Sequence, residues 1–160
     1  MVEFTLRASI TIDCPRPAVW EVLTGFEQVP RWIGGSPVDV LGSRPFGPGS
    51  RFHERVRRGW FWANFDLVCT EWDEGQAFAW KAKSFGVWGE HRWELQEREG
   101  GTLVLDSERF WGPLPPVLLS RPIFFLFGVR GIRRALLLAL NDETRKRCAK
   151  AGQTQGQVTG

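Results

Sequence analysis

Residues 2–12 alternate between apolar and polar side chains. The apolar ones occupy every even position: Val2, Phe4, Leu6, Ala8, Ile10 and Ile12. A period of two predicts a β-strand with one face against an apolar interior. The chain then meets Pro15 and Pro17, which stop a strand and favour the first turn of a helix. The opening therefore predicts a strand, a corner and a helix over 15–24.

Further along, Pro30-Arg31-Trp32 predicts a second short helix ending at Gly34-Gly35, and the stretch 42–50 reads as a loop. Short turn signals then separate six more strands, which predicts an antiparallel meander. The predicted strands are 36–41, 50–58, 60–72, 76–85, 87–97 and 102–111. The tail 151–160 is rich in Gly, Gln and Thr and is predicted to be disordered, which leaves a single domain over 1–150.

Residues 129–150 give the strongest helix pattern in the chain. Its apolar stripe comprises Val129, Ile132, Leu136, Ala139, Leu140 and Cys148. Arg133 and the other cations of this segment are predicted to surround the stripe. We expect this helix to cover one face of the sheet.

Alternation within the strands also selects an inner face of the sheet. The predicted inward side chains are Phe52, Val56, Phe61, Ala63, Phe65, Leu67, Cys69, Phe78, Trp80, Ala82, Trp93 and Leu95. Nine Trp and twelve Phe with no Tyr suit such an apolar wall, because these rings carry few hydrogen-bonding groups. Few ionisable residues look inward, and Glu54, His91 and Glu108 are the candidates.

The net charge and the cysteine content indicate which partners, metal sites and crosslinks to expect. With 21 Lys and Arg against 18 Asp and Glu, the surplus of positive charge is small, and we predict no nucleic-acid partner. The three cysteines, Cys14, Cys69 and Cys148, are widely spaced and indicate neither a disulfide framework nor a zinc site. We therefore expect a reduced, cytoplasmic protein, a monomer or homodimer, with no metal and no cofactor.

Short motifs in a characteristic order carry a family resemblance. They are Pro17-Ala18-Val19-Trp20, Pro30-Arg31-Trp32, Trp80, His91-Arg92-Trp93-Glu94-Leu95, Gly100-Gly101-Thr102, Glu108-Arg109-Phe110 and Leu140-Asn141-Asp142-Glu143. In this order they resemble the START-like or SRPBCC superfamily, in its polyketide cyclase/dehydrase-like branch. The resemblance implies an α+β helix-grip (Bet v 1-like) fold: a curved antiparallel seven-stranded sheet wrapped around a long C-terminal helix, with two short helices after strand 1.

The register of the last hairpin decides what faces His91. A four-residue loop places His91 opposite Glu108 and turns Asp106 inward, as the family pattern favours. A loop shifted by one residue turns Leu103 and Leu105 inward instead, as local hydrophobicity favours. The sequence leaves both registers open, and with them the hypothesis of a His91–Glu108 pair.

Two functions from different classes follow. The first is binding of a hydrophobic small molecule (lipid, polyketide or isoprenoid-like) in a cavity between sheet and C-terminal helix. The predicted ligand contacts are Phe52, Glu54, Phe61, Phe65, Leu67, Phe78, Trp80, His91, Trp93, Ile132, Leu136 and Leu140. The alternative is a polyketide cyclase/dehydratase-like enzyme with Glu54, His91 or Glu108 as acid or base.

The apolar segment 112–128 supplies a third hypothesis, delivery of lipid to a partner. We expect this segment to pack against the C-terminal helix, with a mobile gate and membrane contact as the minor alternatives.

Overall fold

The computed structural model describes residues 1–26, 38–42, 45–58, 61–84, 86–113 and 129–157. Within these ranges, the side chains at 56–58, 61–63, 84, 129–132 and 151–157 are outside the description. The predicted second short helix and the part of the apolar segment at 114–128 also lie outside the described residues.

The described elements are seven strands and two helices. They are β1 (Val2–Ile12), α1 (Arg16–Thr24), β2 (Val38–Leu41), β3 (Arg51–Arg58), β4 (Phe61–Asp73), β5 (Ala77–Ser84), β6 (Val87–Arg98), β7 (Gly101–Gly112) and α2 (Val129–Gln157). The strands form one antiparallel sheet in the order β1-β7-β6-β5-β4-β3-β2. The predicted helix-grip architecture is confirmed.

Helix α1 connects the two edge strands of this sheet, β1 and β2. A proline stands in its first turn, where a missing N–H costs nothing, and Gly25 follows its last residue. Its Val19, Val22 and Leu23 are buried. The corner predicted from the two prolines is therefore the point where the chain leaves β1 to pack a helix on the sheet.

An aromatic cluster fills the interior between α1 and strands β3–β5. Phe52 lies 5.0 Å from Phe26, and Phe78 lies 5.2 Å from Trp80, between ring centroids. Trp20 and Trp72 also belong to the cluster, through ring contacts with Phe78. Edge-on and tilted rings at such distances interlock, and Phe26, Phe52 and Phe78 are almost completely buried.

Two indoles of the aromatic cluster are hydrogen-bonded to one turn residue. Glu74, between β4 and β5, accepts the indole N–H of Trp20 at 2.9 Å and that of Trp72 at 2.7 Å. Both oxygens of one carboxylate thus anchor two rings, which ties α1 to the turn. Alternation alone gave no sign of this link.

Helix α2 packs on β1 and α1, with Leu137 and Leu140 buried against the core. It is longer than predicted and continues through 151–157, which the sequence assigned to a disordered tail. The reason is that extending a formed helix adds a hydrogen bond for each residue ordered, and no proline interrupts this stretch. In the described part of the chain, no helix is both long and apolar enough to cross a membrane.

A disulfide joins Cys14 to Cys148 and corrects the prediction that no disulfide forms. Their Cα atoms are 6.4 Å apart, within the range that a disulfide spans. The prediction was wrong because a separation of 134 residues gives no spacing signal, and only the fold brings the corner after β1 to α2. The expectation of a reduced compartment loses its basis.

Candidate functional site

Asp106 places a carboxylate on the concave face of the sheet, where the neighbouring positions are apolar. Its side chain is fully buried. In β7, Thr102, Val104 and Phe110 share this face and are also buried. The register is the first of the two alternatives, because His91 lies opposite Glu108 and Trp93 lies opposite Asp106. Leu103 and Leu105 therefore lie on the convex face.

Arg133 of α2 explains why a carboxylate is tolerated there. Its Nε donates to Asp106 Oδ2 at 2.9 Å, and Nη2 donates to Oδ1. Nη1 donates to Glu108 Oε2 at 3.1 Å. Arg133 is itself buried, although the sequence pattern only placed it among the cations around the apolar stripe. A bidentate guanidinium satisfies a buried carboxylate better than any other side chain.

His91 completes the cluster from β6. Its Nε2 lies 2.6 Å from Asp106 Oδ1. The hypothesis of a direct His91–Glu108 pair therefore needs a correction. The two residues are cross-strand neighbours, but Asp106, two positions along β7, receives the hydrogen bond. We call His91, Asp106, Glu108 and Arg133 the charged cluster.

The charged cluster perturbs two pKa values. Burial disfavours the charged form of His91, yet the hydrogen bond to Asp106 and the negative charges of Asp106 and Glu108 outweigh burial and the Arg133 charge, so the pKa of His91 is raised. Burial also opposes ionisation of Asp106, but the hydrogen bonds and charges of His91 and Arg133 lower the pKa of this carboxyl. With two carboxylates and one guanidinium, a protonated His91 brings the net charge to zero.

Two members of the charged cluster, His91 and Glu108, are partly exposed. The His91 side chain is 21% exposed and that of Glu108 is 27% exposed, whereas Asp106 and Arg133 are 0% and 6%. His91 lies between two indoles, 6.1 Å from Trp80 and 4.8 Å from Trp93 between ring centroids. The cluster therefore presents an imidazole and a carboxylate beside aromatic surface.

The predicted wall residues divide into two groups by burial. Phe52, Leu67, Phe78, Trp93 and Leu140 are buried at 4% exposure or less. Phe65, Trp80 and Leu136 face the same interior but are only partly buried. The side chains of Phe61 and Ile132 lie outside the described residues.

Glu54 lies apart from the other two acid-base candidates. It sits on β3 opposite Val38 and Phe65, and strands β4 and β5 separate it from β6. The structure therefore brings His91 and Glu108 together and leaves Glu54 elsewhere.

The two buried members of the charged cluster, Asp106 and Arg133, were missed as site residues. The available signal was an acidic residue, Asp106, at an inward position in the first of the two registers, together with a C-terminal helix that carries several arginines. The cluster can hold or move a proton at His91. Among the described residues, no group of three or more side chains is arranged to bind a metal ion.

Comparison with known proteins gives the family. The family model for polyketide cyclase / dehydrase and lipid transport matches residues 3–141. The chain belongs to this family. A search of proteins of curated function finds no match.

Solved structures similar to this family member have the same fold. The Zhui aromatase/cyclase from Streptomyces sp. R1128 has a TM-score of 0.75 at 15% identity, covering 91% of this chain and 96% of that one. Norcoclaurine synthase from Thalictrum flavum, in complex with dopamine and hydroxybenzaldehyde, has a TM-score of 0.71 at 12% identity, over 91% and 88%. Ara h 8.0201 has a TM-score of 0.68 at 14% identity, over 91% and 99%. At these identities the likeness concerns the fold of this polyketide cyclase/lipid transport family member.

Proposed function

We propose that the chain binds a hydrophobic small molecule, a lipid, polyketide or isoprenoid-like compound, in a cavity between the concave face of the sheet and α2. The supporting observation is a gradient of burial along that face. Val104 and Trp93 are buried, and so is Ile12. Toward the other end of the same strands, Leu6, His91 and Glu108 are only partly buried although they face inward. The exception at that end is Phe110, which is buried and stacks on Phe4.

This gradient argues for unfilled space at one end of the interior. Side chains in a close-packed core leave no room for a water molecule. Trp80 and Leu136 are large apolar residues on the inner side, and full packing would bury them as it buries Phe78. The partly exposed end is therefore where a guest fits.

The energetics suit an apolar guest. Burying about 200 Å² of ligand surface stabilises a complex by roughly 5 kcal/mol before the entropy of association is subtracted. Phe65, Trp80, His91 and Leu136 are the residues we assign to ligand contact. The buried group (Phe52, Leu67, Phe78, Trp93 and Leu140) holds the wall in shape behind them.

A matched pair of helix variants tests the proposal. Leu136 is partly buried against the core, whereas Leu138, two positions along α2, is 47% exposed. The probe is N-phenyl-1-naphthylamine, whose fluorescence rises on entering an apolar site. Leu136→Trp fills the space and should weaken probe binding at least about tenfold, because an occupied cavity excludes the guest. Leu138→Trp should bind like the wild type.

Two results would contradict the proposal. One is a wild-type protein that does not bind the probe and yields no co-purifying apolar molecule in native mass spectrometry. The other is equal binding by Leu136→Trp and Leu138→Trp, which would place the probe outside the interior.

A second candidate function is a polyketide cyclase/dehydratase-like enzyme, and the charged cluster favours it. A carboxylate orients His91 and raises its pKa, which is what proton transfer to or from a bound substrate needs. Glu108 is the adjacent base. Incubation with a poly-β-ketone should then yield a product lighter by one water, and His91→Phe should abolish this product. If the wild type leaves the poly-β-ketone unchanged, this enzymatic function is contradicted.

Four sequence predictions stay predictions. Lipid delivery and membrane contact both depend on the apolar segment at 112–128, most of which lies outside the described residues. The cytoplasmic location no longer has the cysteine pattern as support, because Cys14 and Cys148 form a disulfide. The monomeric or homodimeric state is a prediction from the sequence.

A further inference from the structure

The exposed edge of the charged cluster offers one hydrogen-bond donor and one acceptor side by side. His91 and Glu108 are directly opposite each other on β6 and β7. Side chains so placed have Cβ atoms about 4.5–5.5 Å apart. Both face the concave side, and both are partly exposed there.

Each of these groups has one polar atom that the described residues leave without a partner. His91 uses Nε2 for Asp106, so Nδ1 remains. Glu108 uses Oε2 for Arg133, so Oε1 remains. A buried or half-buried polar atom without a partner is costly, and a bound molecule that satisfies it gains affinity.

The charge state of the cluster fixes which atom donates. The raised pKa of His91 favours the imidazolium, in which both ring nitrogens carry hydrogen. Its positive charge and that of Arg133 then balance the carboxylates of Asp106 and Glu108, which Arg133 contacts. Nδ1 is then a donor, and Oε1 of Glu108 is an acceptor. An anionic ligand group would approach the Glu108 carboxylate, and a cationic one would approach the imidazolium. A neutral hydroxyl satisfies both atoms at once.

We propose that the ligand is a neutral apolar molecule carrying a phenolic, enolic or alcoholic hydroxyl, and that this hydroxyl is held between His91 Nδ1 and Glu108 Oε1. The inference rests on the proposed binding function and narrows its ligand class. Trp80, beside His91, supplies the ring surface on which the apolar body lies.

Three naphthalene derivatives of similar size test this assignment through displacement of N-phenyl-1-naphthylamine. They are 2-naphthol, which donates and accepts, 2-methoxynaphthalene, which only accepts, and 2-naphthoate, which is an anion. The wild type should bind 2-naphthol at least about tenfold more tightly than either of the others, as for a hydrogen bond to a charged group.

Glu108→Gln is the diagnostic variant, because Arg133 still needs an acceptor. The glutamine carbonyl should therefore turn to Arg133 and its NH₂ to the cavity. This NH₂ group can donate a hydrogen bond to the ether oxygen of 2-methoxynaphthalene, which the Glu108 carboxylate cannot do. The ratio of affinities for 2-naphthol and 2-methoxynaphthalene should therefore fall close to one. Glu90→Gln is the matched control. Glu90 is on the convex face of β6, near Thr70, and its substitution should leave the ratio unchanged.

The outcomes separate the inference from the function on which it rests. Equal wild-type affinity for 2-naphthol and 2-methoxynaphthalene, or tighter binding of 2-naphthoate, overturns the hydroxyl assignment while apolar binding stands. Failure of the wild type to bind the fluorescent probe and all three compounds overturns the proposed function, and the inference with it. The wild-type ratio needs no variant, so a misfolded Glu108→Gln protein does not remove the test.

Discussion

Arg133 of α2 and Asp106 of β7 form a buried bidentate ion pair that joins the C-terminal helix to the sheet. The pair sits next to the partly exposed end of the interior. It therefore both fixes the helix and contacts His91 and Glu108, the two polar groups that a guest would meet.

Removal of Arg133 should strongly destabilise the protein. Arg133→Met leaves the Asp106 carboxylate buried beside His91 alone, and loss of one partner of a buried pair costs about 3–5 kcal/mol. Urea unfolding measures the loss. Arg134→Met is the control, because Arg134 is exposed on the same helix and should change the free energy of unfolding by no more than about 0.5 kcal/mol. Equal stability of the two variants would contradict the burial of the ion pair.

The contribution of His91 to stability should depend on pH. Because the pKa of His91 is raised in the fold, protonation stabilises the folded state. This stabilisation is complete below the ordinary His pKa of 6.5 and is lost as the pH rises through the raised value. The difference in unfolding free energy between wild type and His91→Gln should therefore be largest on the acid side of 6.5 and shrink on the alkaline side. A difference that grows with pH would contradict a raised pKa of His91 in the folded protein.

Asp106 should separately make the free energy of unfolding fall at acid pH. Its pKa is lowered, so its contribution is present above the ordinary value of 3.8 and disappears as the pH falls through the lowered one. Acid unfolding of the wild type should accordingly begin below that ordinary value, and Asp106→Asn should lose this component. If both proteins lose stability in the same way at low pH, other carboxyl groups cause the acid unfolding.

The Cys14–Cys148 disulfide should be detectable by counting thiols. Unfolded, unreduced protein should react at Cys69 alone, and reduction should expose all three cysteines. A crosslink closing a loop of this length stabilises the fold by up to about 5 kcal/mol. Reducing agent should therefore lower the melting temperature of the wild type but not that of Cys148→Ser. Three reactive thiols before reduction would show that the bond does not form.

Gly101 should tolerate no side chain. A Cβ at this position would collide with the carbonyl oxygen of Ile12 on β1. Gly101→Ala must therefore push β1 away from β7, and we expect a loss of about 1–3 kcal/mol in urea unfolding. At Gly47 an added Cβ meets nothing within 4 Å, so Gly47→Ala should leave stability nearly unchanged. Similar effects of both substitutions would contradict the close approach.

The strands and helices could be predicted from the sequence because their determinants are local, whereas the helix-grip arrangement came from the family resemblance. Alternation in β1 and in β3–β6 set the inner face, and Pro17 and Gly25 bound α1. Each of these signals depends on residues within a few positions of one another. The same logic placed Phe52, Phe78 and Trp93 inside, and the structure confirms that side of the sheet for them.

The charged cluster and the disulfide could not be predicted in this way because they depend on contacts between distant segments. A carboxylate such as that of Asp106 is unfavourable in an apolar wall unless a charged partner binds it. That partner is Arg133, which lies 27 positions along the chain. Hydrophobicity therefore favoured the wrong register, with Leu103 and Leu105 inside. Cys14 and Cys148 likewise become neighbours only when α2 packs against α1 and β1.

The central claim is that a guest occupies the interior next to the charged cluster, and methyl NMR on leucine-labelled protein tests it most directly. With 2-naphthol added, the account predicts nuclear Overhauser contacts between naphthyl protons and the Leu136 methyl groups, with Leu103 and Leu105 on the convex face unaffected. Contacts to Leu103 or Leu105 without any to Leu136, or saturating ligand with no contact to Leu136, would contradict a guest in this interior.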